Sequence, residues 1–111
     1  MSKNYSIELN KIEHFLSEYY ENDPFNEQKN RFIKNKIKNL IIVAHDDTTV
    51  PEEDKQTVIN AALTLLAENT GCVEDCEISE TILHDLYDDL KIITQKDIDD
   101  FYKNSPANRW L

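Results

Sequence analysis

The sequence predicts an all-α protein, a compact bundle of four main helices plus a short C-terminal fifth, and three observations carry that prediction. Apolar residues recur at helical spacing in four long segments and one short one, so each segment has a face to bury. Capping or helix-breaking residues stand between the segments. The chain has 1 glycine and 3 prolines in 111 residues, too few for the tight hairpins a sheet of this size would need. The same scarcity excludes phosphate-cradling loops, dinucleotide fingerprints and nucleophile elbows, each of which needs glycine where the backbone turns sharply. A chain of this length suits one core that buries about two-thirds of the unfolded surface. A single helical domain over residues 1–104 with a tail over 105–111 is expected.

The first helix is expected over about residues 4–21. Tyr5, Leu9, Ile12, Phe15, Leu16, Tyr19 and Tyr20 fall on one side of it and Ile7 on the other. Asn22-Asp23-Pro24 breaks the pattern, and Asp23 as N-cap with Pro24 in the first turn restarts it. The second helix then runs to about Ala44, with Phe25, Phe32, Ile33, Ile37, Leu40, Ile41 and Ala44 as its inward stripe. Arg31, Lys34 and Lys38 lie across from that stripe.

His45-Asp46-Asp47-Thr48 is short enough to make the next helix an antiparallel neighbour. That third helix, Thr49 to Gly71, is predicted to be central, because its apolar residues from Val58 to Leu66 cover more than half its circumference. Thr49-Val50-Pro51-Glu52 has the form of a capping box, and Gly71 stands where a left-handed residue would close the helix.

Cys72 to Glu77 has no clear period and reads as a surface loop. Ser79 reads as the N-cap of a fourth helix to about Lys91, with Ile78 and Leu83 as a hydrophobic staple and Ile82, Leu83, Leu86, Tyr87 and Leu90 buried. Thr94-Gln95-Lys96-Asp97 is a second cap signal. It opens a short helix to about Lys103, docked by Ile98, Phe101 and Tyr102. Ser105-Pro106 ends it, and the tail finishes on Trp110-Leu111, which either folds back or inserts into a partner.

Charge narrows the partners. With 12 basic against 22 acidic side chains the formal net charge is -10, which favours basic surfaces over nucleic acid or anionic membrane. No apolar run approaches the roughly 20 residues that span a bilayer, and the first residues lack a signal-peptide core, so a cytoplasmic protein with reduced thiols is expected. The abundance of Asn, Lys and Ile suits an AT-rich genome, such as that of a low-GC bacterium or its phage.

From Glu74 to Asp100 there are ten acids against Lys91 and Lys96, a local balance of -8. A solvated face would suffice to explain such a run. Its sharper reading is a docking surface for a basic protein formed by Glu80, Asp85, Asp88, Asp89, Asp97, Asp99 and Asp100, since carboxylates along a helix can imitate the spacing of phosphates. The expected function is therefore a non-catalytic acidic interaction protein, an inhibitor or nucleic-acid mimic of the sort phages make. The alternative is a helical immunity or adaptor protein that binds through an apolar groove or its C-terminal tail. A third reading, weak nucleic-acid binding, uses Arg31, Lys34 and Lys38 among the five basic residues of the second helix, although the rest of the chain would repel a polyanion.

Catalysis and metal binding find little support. His14, His45 and His84 fall in separate elements, and no Ser or Cys has a base at a recognisable spacing. Cys72-x3-Cys76 with His84 lacks a local fourth ligand and the tighter cysteine spacing usual for structural zinc. The Asp46-Asp47 link has neither the alternating ligands nor the glycine of a calcium loop. No enzyme activity, metal or cofactor is expected.

Overall fold

The apolar stripes fold as helices in a computed structural model that describes residues 5–22, 27–70 and 73–105, and of residues 19–22, 27 and 73–75 the backbone alone. They are α1 (Tyr5–Asn22), α2 (Glu27–Asp46), α3 (Glu52–Glu68), α4 (Val73–His84), which runs on into a π turn over Asp85–Asp89, and α5 (Gln95–Asn104). No strand occurs among the described residues, and the protein is an all-α bundle. Its radius of gyration of 13.6 Å is that of a compact chain, for which about 13 Å is expected at this length. Among the described residues no helix is long and apolar enough to cross a membrane.

α3 packs against α1, α2 and α5, and α2 packs against α1, α3 and α4, so the two helices share the centre that had been expected of α3 alone. Ile37 and Ile41 of α2, Ala62 and Leu66 of α3 and Leu86 of the π turn are fully buried where these elements meet. Leu16 brings α1 into this core and Phe101 brings α5.

The entry to α3 differs from the predicted capping box. Asp47 Oδ1 accepts from both the Thr49 amide (2.9 Å) and the Thr49 hydroxyl (2.6 Å), closing an Asx turn. The Thr49 hydroxyl is turned back to Asp47 as a donor, and Thr49 stands outside the cap position where its oxygen would have accepted from the helix. The cap position falls to Pro51, extended at φ -60°, ψ 151° and without a side-chain cap, and the helix starts at Glu52. Glu52, Glu53 and Asp54 in the first turn face the positive end of the helix dipole. Asp47 Oδ2 also accepts from the buried Tyr5 hydroxyl at 2.8 Å, which fastens the start of α1 to this turn. Desolvation chiefly, with the Asp47 hydrogen bond and charge, pushes the Tyr5 hydroxyl up to about 12.

At the other end of α3, Asn69 Nδ2 donates to Leu65 O (2.9 Å) and Thr70 Oγ1 to Leu66 O (2.7 Å), so side chains satisfy the last carbonyls. Gly71, the predicted left-handed cap, lies outside the described residues, as do Asp23, Pro24, Phe25 and Cys72.

The fourth helix corrects two expectations. It starts at Val73, so the predicted loop is helical from there on, and Ser79 is a buried interior residue whose Oγ lies 2.8 Å from Thr70 Oγ1. Ile78 and Leu83 are both buried within the helix and form no staple at its start. Regular α-helix ends at His84, short of the expected Lys91. Leu90 N then donates to Asp85 O (2.9 Å) and Ile92 N to Leu86 O (2.8 Å), which widens the turn. Lys91 closes it at φ 55°, a left-handed conformation unusual for a residue with a side chain. Leu90, predicted to be buried, is 45% exposed, and Ile93 fills the core below it instead. The cap of α5 is as read from the sequence. Thr94 Oγ1 accepts from Asp97 N (3.3 Å) and Asp97 Oδ2 from Thr94 N (2.9 Å). Ser105, assigned to the tail, is buried and donates to Thr70 O at 3.0 Å.

Candidate functional site

The seven acidic residues singled out from the sequence divide by what their oxygens hold. Glu80 is part-buried, and its Oε1 accepts from Tyr102 OH (3.0 Å) and from Cys76 Sγ (3.8 Å), which ties α4 to α5. Burial, and after it the Glu80 carboxylate, pushes the Tyr102 hydroxyl up to about 12. Asp85 Oδ2 receives Lys38 Nζ at 2.7 Å, which joins α2 to the first residue of the π turn. Asp97 completes the cap of α5. These three carboxylates are spent on the fold, because moving any of them toward a partner would break a contact within the chain.

Asp88, Asp89, Asp99 and Asp100 are exposed. Asp88 accepts from or shares a proton with His84 Nδ1 at 2.8 Å, and that hydrogen bond and charge raise the His84 pKa above its ordinary 6.5. Burial opposes the shift weakly, and Glu80 and Asp85 add to it. Asp99 accepts from Gln95 Nε2 at 3.2 Å, and Asp100 borders a recess of about 230 Å³ against Asn60 and Thr64 of α3. Among the described residues Asp89, Asp99 and Asp100 form no ion pair. What remains is two pairs of exposed carboxylates, one on the π turn and one on α5, on either side of the Leu90–Thr94 link.

The basic stripe does not survive as a face. Lys34, placed on the outer side by its charge, is fully buried together with Asn30, and Lys38 is bound to Asp85. Phe32, placed inward by its size, is 65% exposed with Lys36 Nζ 4.7 Å from its ring centre. The inner arc of α2 is Asn30, Ile33, Lys34, Ile37, Ile41 and Ala44, and Phe32 stands about 140° from Ile37 on the helix.

No group of three or more His, Cys, Asp or Glu side chains among the described residues is arranged to hold a metal ion. Cys76 is buried against Glu80. The three histidines sit apart, each beside a carboxylate of its own segment: His14 by Glu18 (3.1 Å), His45 by Asp46 (3.1 Å) and His84 by Asp88.

The alternative reading called for an apolar groove without giving it a location. Between the first half of α1 and the second half of α2 lies an apolar groove of about 710 Å³ with Ile7, Phe15 and Val43 exposed along it. Its one visible signal was Ile7, the large apolar residue that would not fit the inner stripe of α1. No protein-family model, no curated protein and no solved structure matches the chain, so its chemistry is read from its own side chains.

Proposed function

We propose that the protein is a non-catalytic interaction protein of the cytoplasm that binds the basic surface of a protein partner, as an inhibitor or nucleic-acid mimic of phage type would. The observation that supports this reading most is the set of exposed carboxylates at Asp88, Asp89, Asp99 and Asp100, three of them without an ion pair among the described residues, on a chain of net charge -10. Exposed carboxylates attract a cationic surface over about a Debye length, roughly 8 Å at physiological salt, and speed encounter more than they prolong residence. They stand on helical turns held by the Asp85–Lys38 pair and by the α5 capping box, so their spacing is set before a partner arrives. Direct nucleic-acid binding through Arg31, Lys34 and Lys38 loses two of its three cations to the interior and to Asp85.

The test compares capture from extracts of the source cells by the wild-type chain and by a variant with Asp88, Asp89, Asp99 and Asp100 all changed to Asn, each at low and at moderate salt. The reading expects basic proteins to be captured by the wild type at low salt, released by salt and absent from the variant. Equal capture of the same proteins by both chains refutes it.

A further inference from the structure

We propose that the chain pairs with a second copy of itself, laying the α1/α2 face of one protomer across that of the other about a two-fold axis. Ile12 and Leu40 form part of the groove in that face, and Ile7, Phe15 and Val43 stand along it at 50%, 48% and 43% exposure. Large apolar side chains gathered in one groove signal a covered surface, whereas scattered ones do not.

Two observations select a second copy as the cover.

The first is charge. A two-fold interface must be complementary to itself, because the same patch supplies both sides. Glu8 and Lys11 lie on the groove one turn apart, both more than half exposed and only loosely paired within α1 at 3.8 Å. An antiparallel crossing of α1 on its copy puts Lys11 opposite the second Glu8, twice over. With Lys36 the groove carries two cations against one anion, while none of the seven candidate docking acids lines it. Self-repulsion of a -10 chain is therefore smaller at this face than at the acidic π turn and α5.

The second is area. Two helices of 18 and 20 residues lying side by side offer a footprint on the order of 500 Å² per copy, so the pair buries on the order of 1,000 Å². That is the lower limit for a specific interface and fits a dimer that dissociates on dilution. Pairing this way leaves the carboxylates of the π turn and α5 facing outward, so a dimer presents two acidic edges.

Sedimentation equilibrium on the full chain tests the proposal. The wild type is expected to move from one to two times 13.0 kDa across the micromolar range. Phe15→Glu and Val43→Glu should each weaken self-association by roughly tenfold or more, with helical circular dichroism unchanged because both side chains are half outside. Leu90→Glu, exposed but outside the groove, should leave the dimer intact. Lys11→Glu should weaken it and the double exchange Glu8→Lys with Lys11→Glu should restore it, which a purely apolar contact would not show. Amide NMR shifts that change on dilution only along α1 and α2 would support the same face without any variant. A wild-type chain that stays at 13.0 kDa at every concentration overturns the proposal, as does a dimer indifferent to Phe15→Glu and Val43→Glu.

Discussion

Changing Thr70 to Val should cost far more than the loss of one surface hydroxyl. Thr70 Oγ1 is fully buried, donates to Leu66 O at 2.7 Å and lies 2.8 Å from Ser79 Oγ, while Thr70 O accepts from the buried Ser105 hydroxyl at 3.0 Å. The end of α3, the middle of α4 and the end of α5 are thus joined at one residue. Valine keeps the volume of threonine, so packing is preserved and the loss is polar. It removes two hydrogen bonds and leaves the Ser79 hydroxyl buried without its partner, which together costs about 2–3 kcal/mol. Ser79→Ala removes the hydroxyl along with its bond, leaves Thr70 on Leu66 O, and should cost about 1 kcal/mol. Since the Val variant suffers chiefly from the stranded Ser79, the double variant should cost no more than Thr70→Val alone. At about 4 °C per kcal/mol for a chain of this size, Thr70→Val lowers the melting temperature by about 10 °C. Urea and thermal unfolding followed by circular dichroism measure all three. A Thr70→Val variant within about 0.5 kcal/mol of wild type, or a double variant whose loss equals the two single losses added, refutes the buried hydroxyl knot.

Lys91→Gly should raise stability by about 1 kcal/mol in urea unfolding, because the left-handed turn that closes the π segment penalises any side chain; an unchanged or lower midpoint would refute a left-handed Lys91. The ring protons of His84 should titrate in NMR above the ordinary 6.5 and above their own midpoint in Asp88→Asn, where the carboxylate is gone. Because the folded pKa is the higher one, the stabilisation from this contact is complete below the unfolded value and disappears as pH rises through the folded value. Tyr5 and Tyr102 should ionise near 12, later than exposed tyrosines, when followed by ultraviolet absorbance. The unfolded chain loses those protons near pH 10 while the folded chain keeps them, so stability should fall from about pH 10 to about pH 12, and less steeply in Tyr5→Phe.

Signals that act within a few residues were legible in the sequence. The Thr94–Asp97 box closes inside one turn with nothing nearby to compete, and the Ile37–Ile41–Ala44 stripe has the helical period. Where the sequence misled, a particular neighbour explains it. Asp47 draws the Thr49 amide and hydroxyl back into an Asx turn, which takes Thr49 out of the cap position and leaves that position to Pro51. Ser79 looked like a cap because polar residues are expected outside, yet it lies on the buried stripe of α4, where Thr70 satisfies it. Lys34 and Phe32 exchange places because angular position on α2 overrides residue type, Lys34 standing about 60° from Ile37 and Phe32 about 140°. The acidic character of the α4–α5 region was plain, but the roles of its members were not. Lys38 reaches Asp85 and Tyr102 reaches Glu80 across intervals of 47 and 22 residues, which no local pattern encodes.

Association kinetics test the proposed docking most directly. With a captured basic partner purified, the on-rate of the wild-type chain is measured against ionic strength beside the variant in which Asp88, Asp89, Asp99 and Asp100 are Asn. The proposal predicts a wild-type on-rate that falls steeply with salt, a variant that is roughly tenfold slower at low salt and nearly flat, and off-rates that change much less. Two superimposable salt dependences, with any loss of affinity confined to the off-rate, would contradict it and move the binding surface away from these four carboxylates.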